Sequence, residues 1–146
     1  MEDTNWGDDA NVERWCSEQR QNALRYLNDQ PVTFGALAER PAWHVAPYVS
    51  VWAIESVKVP RNIGWWVISG DLPTDYTSAD AKPDPRSALA AFAKLWKLAA
   101  ARMERGEQLD GFTVGSTECS VELAPLLKSR AMLLQEWVND DSCWDR

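Results

Sequence analysis

Apolar residues recur every three or four positions in two long stretches of the chain, which is the spacing of an amphipathic helix. The first stretch follows Asp8 and Asp9 and ends before Pro31, so we predict a helix over Asp9–Asn28. The second begins at Asp84 and Pro85, an N-cap carboxylate followed by proline at the first helical position, and continues to about residue 105. Gly106 closes this second helix.

Shorter patterns predict two further helices. Residues 32–39 have the length of a short helix, although Gly35 weakens it and Pro41 stops it. Near the C-terminus, apolar residues from Leu126 to Val138 predict a helix over about residues 121–138, with Pro125 in its first turn. Residues 41–47, which follow the short helix and precede the first strand, are expected to form a connector that contains two prolines.

The pattern changes to that of β-strands between residues 48 and 70. The run 48–59 is rich in Val, Ile, Trp and Tyr, and the run 64–70 reads GWWVISG. Between them, Pro60-Arg61-Asn62 supplies turn-forming residues, so we predict an antiparallel hairpin.

Side chains alternate along a strand, so Trp65 and Trp66 must lie on opposite faces of this hairpin. One of them fills the core, and the other requires a second cover, which could be a helix, a ligand or a partner. Residues 71–83 contain turn formers without periodicity and are expected to form an acidic loop. Residues 109–115 allow a short third strand.

Together these elements predict an α+β fold. We expect a small antiparallel sheet of two to three strands, centred on the hairpin at about 48–70, packed by the long amphipathic helices at 85–105 and 121–138. With 146 residues, the chain is expected to form a single globular domain over residues 1–146, in which residues 1–8 and 139–146 are frayed tails.

Composition and charge narrow the choice of partners. The net charge of −7 disfavours nucleic acid and anionic membranes and favours a basic or aromatic-presenting protein partner. No apolar run is long enough to cross a membrane, and the first residues have no signal-peptide pattern, so we expect a cytoplasmic protein. The three cysteines, Cys16, Cys119 and Cys143, are widely spaced, which predicts reduced thiols and neither a metal site nor a cofactor.

Four side chains are candidates for acid–base chemistry. His44 is the single histidine, and the alternative for it is a half-buried structural role. Glu55 interrupts an apolar row of strand residues, so it is either a structural ion pair or a functional acid. Asp71 and Asp75 lie four residues apart and could converge on one site, although aspartates more often stabilise turns.

The candidates for binding lie in the same region. They combine aromatic rings, which are common at interfaces, with charges that could orient a partner. These residues are Trp65, Trp66, Asp71, Asp75, Tyr76 and Arg61.

Several stretches also carry a resemblance to a known family. The run PAWHVAPYVSVWAIES, the following GWWVISGDLPTDY, the Pro85-Arg86 helix start and the Ser129-Arg130-Ala131 stretch resemble a small bacterial family described only as a domain of unknown function. The resemblance covers most of the chain from the first helix to about Val138. It implies a bacterial single-domain protein and supplies no activity or catalytic residue.

Two classes of function stay open. The first is a binding module, similar in kind to small antidote or adaptor proteins, with an acidic surface that carries tryptophan. The second is a hydrolase that uses Glu55, Asp71, Asp75 and His44 in a cleft lined by tryptophan, and a sugar- or nucleobase-binding protein lies between the two. The sequence has none of the common nucleophile, phosphate-loop or metalloprotease motifs, which favours binding over catalysis.

Overall fold

The computed structural model describes residues 5–31, 33–105 and 124–144, together with the backbone of residues 113–114 and 117–118. The chain divides into two compact units, Met1–Asp80 and Ala81–Arg146. The prediction of a single domain with frayed tails stays a prediction.

The first unit consists of one helix and one antiparallel sheet. Helix α1 spans Asp9–Asn28, as predicted, and the strands are β1 (Trp43–Val45), β2 (Val49–Glu55), β3 (Ile63–Gly70) and β4 (Leu72–Ser78). They lie side by side in the order β1-β2-β3-β4. The α+β class and the hairpin of β2 and β3 are confirmed, but the sheet has four strands rather than two to three.

The two additional strands are β1 and β4, which we had predicted to be a connector and an acidic loop. Both contain or adjoin proline and polar residues, which obscure a strand pattern in the sequence. Proline is tolerated at the edge of a sheet because one side of an edge strand makes no ladder hydrogen bonds. Both misread segments are edge strands of this sheet, which explains why their strand signal is weak.

The predicted short helix at 32–39 is wrong, because none of the described residues 33–39 is helical. Leu37 bridges Ile54, and the Glu55 N–H donates to the Ala36 carbonyl at 2.9 Å. A side chain at Gly35 would place its Cβ 2.2 Å from the Glu55 carbonyl oxygen, so this close approach requires glycine. Residues 36–38 therefore pair with β2 on the same side as β1.

Helix α1 packs on one face of the sheet. Ala23 and Leu27 of α1 are buried with Trp52, Ile54 and Val67 of the sheet. Because the residues on this face alternate along β2 and β3, Trp65 belongs to it and Trp66 points to the other side.

A chain of buried polar groups also connects α1 to this face. The Ser69 hydroxyl donates to Gln19 Oε1 on α1, and Ser50 Oγ donates to the Ser69 carbonyl at 2.9 Å. Trp52 Nε1 donates to Ser50 Oγ at 2.9 Å. Each buried polar atom of these side chains has a hydrogen-bond partner.

The second unit contains α2 (Pro85–Glu104) and α3 (Ala124–Asn139), which pack against each other, and a short 3₁₀ helix, Asp141–Cys143. Asp84 caps α2 as predicted, since its carboxylate accepts the Ser87 N–H at 2.8 Å. Arg86 donates to the Val138 carbonyl and contacts the Asp141 carboxylate at 2.7 Å, which holds the 3₁₀ helix beside the start of α2. The predicted packing of these helices on the sheet stays a prediction.

Strands β5 (Thr113–Val114) and β6 (Thr117–Glu118) form a separate two-stranded sheet. Strand β5 lies within the short strand predicted at 109–115, whereas β6 was not predicted. The helix end at Gly106 and residues 121–123 of the last predicted helix lie outside the described residues.

Candidate functional site

Three aromatic rings meet on the α1 side of the sheet. The ring centroids of Phe34, Trp65 and Tyr76 are 5.4 to 5.5 Å apart, with T-shaped or tilted geometry. Such arrangements place the positive edge of one ring near the negative face of the next. All three side chains are half-buried, so the cluster is both packed and accessible from outside.

Asp75 on β4 lies beside this cluster. Its Oδ1 accepts the Tyr76 N–H at 2.8 Å, and its carboxylate is hydrogen-bonded to the hydroxyl of Tyr26, whose ring contacts Tyr76. Burial raises the pKa of Tyr26 above its ordinary value, and the neighbouring negative charge of Asp75 acts in the same direction. The Tyr26 hydroxyl therefore stays protonated and serves as a donor to Asp75.

Apolar side chains are displayed at the tip of the β2–β3 hairpin, at the same end of the sheet as Trp65. Val57 and Val59 are 56% and 51% exposed, and Ile63 at the start of β3 is also exposed. Large apolar side chains that are grouped in the open are a feature of interaction sites.

Local hydrogen bonds define the conformation of this tip. The Ser56 hydroxyl accepts the Lys58 and Val59 N–H groups at 3.2 and 3.1 Å. The Arg61 N–H donates to Glu55 Oε2 at 3.3 Å, and Arg61 adopts a φ of 75°, which is uncommon for a residue with a side chain. The valines are therefore presented by a loop whose backbone makes several local hydrogen bonds.

We call the accessible cluster and the tip together the hairpin surface, which consists of Phe34, Val57, Val59, Ile63, Trp65 and Tyr76. Two predicted binding residues, Trp65 and Tyr76, belong to it, and Asp75 adjoins it. Arg61 lies at the tip beside Glu55.

The other two predicted binding residues lie elsewhere. Trp66 is only 1% exposed, so it belongs to the core rather than to an accessible surface, and this confirms that one of the paired tryptophans is buried. Asp71 is exposed in the tight turn between β3 and β4, where its N–H donates to the Tyr48 carbonyl at 2.8 Å. The adjacent Gly70 has a φ of 151°, and a Cβ there would lie 2.3 Å from the same carbonyl oxygen.

The four candidate catalytic residues do not converge. Glu55 and Asp71 lie at opposite ends of β3, which at about 3.3 Å per residue places them roughly 25 Å apart. His44 and Asp75 lie on the two edge strands, and three strand spacings of about 4.8 Å separate these by roughly 14 Å. Neither of these two pairs is therefore close enough to act together on one substrate atom.

His44 has a packing partner on α1. Its ring centroid is 6.4 Å from that of Trp15, and it pairs across the strands with Ser50. The buried Ser50 hydroxyl is not available as a nucleophile, because it donates to the Ser69 carbonyl. These contacts match the half-buried structural role that was the alternative for His44.

The described part of the chain contains no group of three or more metal-ligating side chains. Neither Cys16 nor Cys143 forms a disulfide bond, and Cys119 lies outside the described residues. Burial raises the pKa of Cys16, with a further contribution from the Glu13 carboxylate, so this thiol is less reactive than an ordinary cysteine.

Sequence analysis did not identify Phe34 of the hairpin surface or its neighbour Tyr26. Phe34 was part of a predicted short helix, and Tyr26 was part of the predicted helix over Asp9–Asn28. The available signal was Gly35, since a glycine beside an aromatic residue in a short segment between prolines also permits a close backbone approach.

Comparisons with known proteins identify one relationship. A family model described as a domain of unknown function matches residues 9–144. No curated protein and no solved structure matches the chain. Of the helices in the described ranges, none is long and apolar enough to cross a membrane.

Proposed function

The chain belongs to the family described as Domain of unknown function (DUF4826), and from this starting point we propose that it is a binding module whose hairpin surface captures a protein partner. The observation that supports this function is the group of half-exposed aromatic and exposed valine side chains on an ordered hairpin. A preordered loop loses little conformational entropy on binding, which favours affinity.

The chemistry of the surface indicates a basic or aromatic-presenting partner. Asp75 supplies a carboxylate next to Tyr76, whose ring contacts that of Trp65, and the faces of such rings attract cations. The sequence of the first unit, residues 1–80, contains 6 Lys and Arg against 12 Asp and Glu, a difference of −6. A positively charged partner would therefore be attracted at long range and then held by the rings.

A bacterial, cytoplasmic setting is part of this proposal, as is an antidote- or adaptor-like role in which the module occupies a surface of its partner. The proposal places no chemical step on Glu55, Asp71, Asp75 or His44. Their separation across the sheet supports binding over the hydrolase alternative.

Affinity capture from a lysate of the source organism tests the proposal. We expect the tagged wild-type chain to retain a basic protein in near-stoichiometric amount, and the Val57→Asp/Val59→Asp variant to lose it. Both substitutions are at exposed positions, so the variant should keep its fold, which circular dichroism can verify.

Leu126→Asp provides the matched control, because Leu126 is an equally exposed apolar residue in the second unit. This control should retain the partner. Recovery of a small molecule in place of a protein would favour the ligand-binding alternative, and equal capture by all three proteins would refute the hairpin surface as the contact site.

A further inference from the structure

The outer side of α2 exposes two leucines. Leu95 and Leu98 are 42% and 56% exposed, while Phe92, Trp96 and Ala99 on the other side of the helix are buried. Residues three apart lie on the same side of a helix, so the two leucines form one continuous apolar stripe.

Positive charges surround this stripe. Lys94, Lys97 and Arg102 are exposed within about one turn of the leucines, and the sequence contains no acidic residue between positions 94 and 102. Among the described residues none of these three cations forms an ion pair. The helix dipole accounts for Arg102 in the last turn, but it does not account for lysines in the middle of the helix.

This local charge is opposite to that of the chain, whose net charge is −7. We therefore propose that the outer face of α2, formed by Lys94, Leu95, Lys97, Leu98 and Arg102, binds an acidic protein segment that carries apolar side chains. Its carboxylates pair with the cations, and its apolar residues cover the leucines.

The charge distribution favours a short segment over an extended polyanion. At physiological salt a charge acts over about 8 Å, so a short segment on α2 experiences mainly the three cations. Nucleic acid or an anionic bilayer would extend over more of the surface and meet the net negative charge of the chain.

Selection from a random peptide library with the full chain as bait tests this inference. We expect the enriched peptides to combine Asp and Glu with apolar residues. A synthetic enriched peptide should bind the wild-type chain and lose at least about tenfold in affinity with Leu98→Glu and with Lys97→Glu, since each change removes a contact or adds like-charge repulsion.

Controls separate this site from the rest of the molecule. Met132→Glu, at an exposed apolar position of α3, should leave peptide binding unchanged, and Lys97→Arg should preserve it because the charge is retained. Val57→Asp/Val59→Asp should also leave it unchanged, so failure at α2 is distinguishable from failure of the hairpin surface.

Several results would overturn the inference. These are enrichment of basic peptides, absence of any enrichment, binding that survives both Leu98→Glu and Lys97→Glu, and equally tight binding of phosphatidylserine vesicles or a single-stranded oligonucleotide to the same face.

Discussion

Removal of the Ser50 hydroxyl provides the sharpest test of how α1 is joined to the sheet. In the folded protein this hydroxyl accepts the Trp52 indole N–H and donates to the Ser69 carbonyl, both at 2.9 Å, and Ser50 and Trp52 are fully buried. Ser50→Ala therefore leaves the indole N–H without its acceptor in a site without access to water.

The magnitude follows from the two lost interactions. An orphaned buried donor costs about 1–3 kcal/mol, and the lost bond to the Ser69 carbonyl adds about 1 kcal/mol. We expect Ser50→Ala to reduce the free energy of unfolding by about 2–4 kcal/mol, which is large for a substitution that removes one atom.

A double-mutant cycle isolates the part that belongs to the indole N–H. Trp52→Phe removes the donor, so Ser50→Ala should cost about 1–3 kcal/mol less in the Trp52→Phe background than in the wild-type chain. The free energies are obtained from urea unfolding followed by circular dichroism at the helical band. In a control cycle Val57→Ala, at the exposed tip of the β2–β3 hairpin, should be additive with Ser50→Ala to within about 0.5 kcal/mol.

Additivity of Ser50→Ala and Trp52→Phe would refute the reasoning. It would mean that the indole N–H finds another acceptor when the hydroxyl is removed. A cost of Ser50→Ala below about 0.5 kcal/mol would likewise show that the buried polar chain does not stabilise the docking of α1.

Three further predictions concern single side chains. Trp66→Ala should reduce the free energy of unfolding by about 3–5 kcal/mol and Trp65→Ala by much less, because of these two tryptophans only Trp66 is fully buried. Chemical denaturation of both variants tests this prediction, and an equal loss of stability in the two would contradict it. Asp75→Ala should lower the melting temperature by several degrees and Asp71→Ala by less, because the Asp75 carboxylate accepts hydrogen bonds from the Tyr26 hydroxyl and from a backbone N–H. An unchanged melting temperature of Asp75→Ala, together with loss of a ligand or activity, would instead favour a functional carboxylate. Because the pKa of Tyr26 is raised in the folded protein, the unfolded chain releases this proton first, so the free energy of unfolding should fall as the pH rises above about 10. Tyr26→Phe should flatten this decline in urea unfolding measured across the alkaline range, and an identical slope in both proteins would exclude Tyr26 as its source.

Sequence patterns predicted an element correctly where its apolar residues have a strong period and its ends carry clear capping or turn signals. The bounds of α1 agree with the prediction, and the start of α2 follows from Asp84 and Pro85. The β2–β3 hairpin was also predicted, because β-branched and aromatic runs flank a turn with proline and asparagine.

The edges of the sheet could not be predicted in this way. The three residues of β1 and the largely polar β4 derive their strand conformation from pairing with β2 and β3, and not from their own propensities. The same limitation applies to the hairpin surface, because the contact of Phe34 with Trp65 depends on the pairing of residues 36–38 with β2.

The period of the strand also could not decide which of the two adjacent tryptophans lies inside. Alternation requires opposite faces for Trp65 and Trp66 but does not identify the buried face. Asp71 and Asp75 do not converge because the expected loop is instead the extended strand β4. Residues four apart in the sequence are far apart along such a strand.

The pairing of Ala36 and Ala38 with β2 has a consequence for how the sheet meets other chains. With β1 and this segment in place, the outer side of β2 offers few open backbone groups to an incoming strand, so the edges of this sheet are the three-residue β1 and the longer, seven-residue β4. On β4, the Tyr76 N–H is already occupied by the Asp75 carboxylate, which also brings a negative charge to that side. At the longer edge of this sheet, an aspartate that occupies a backbone donor and carries a negative charge therefore opposes the addition of a strand from another chain.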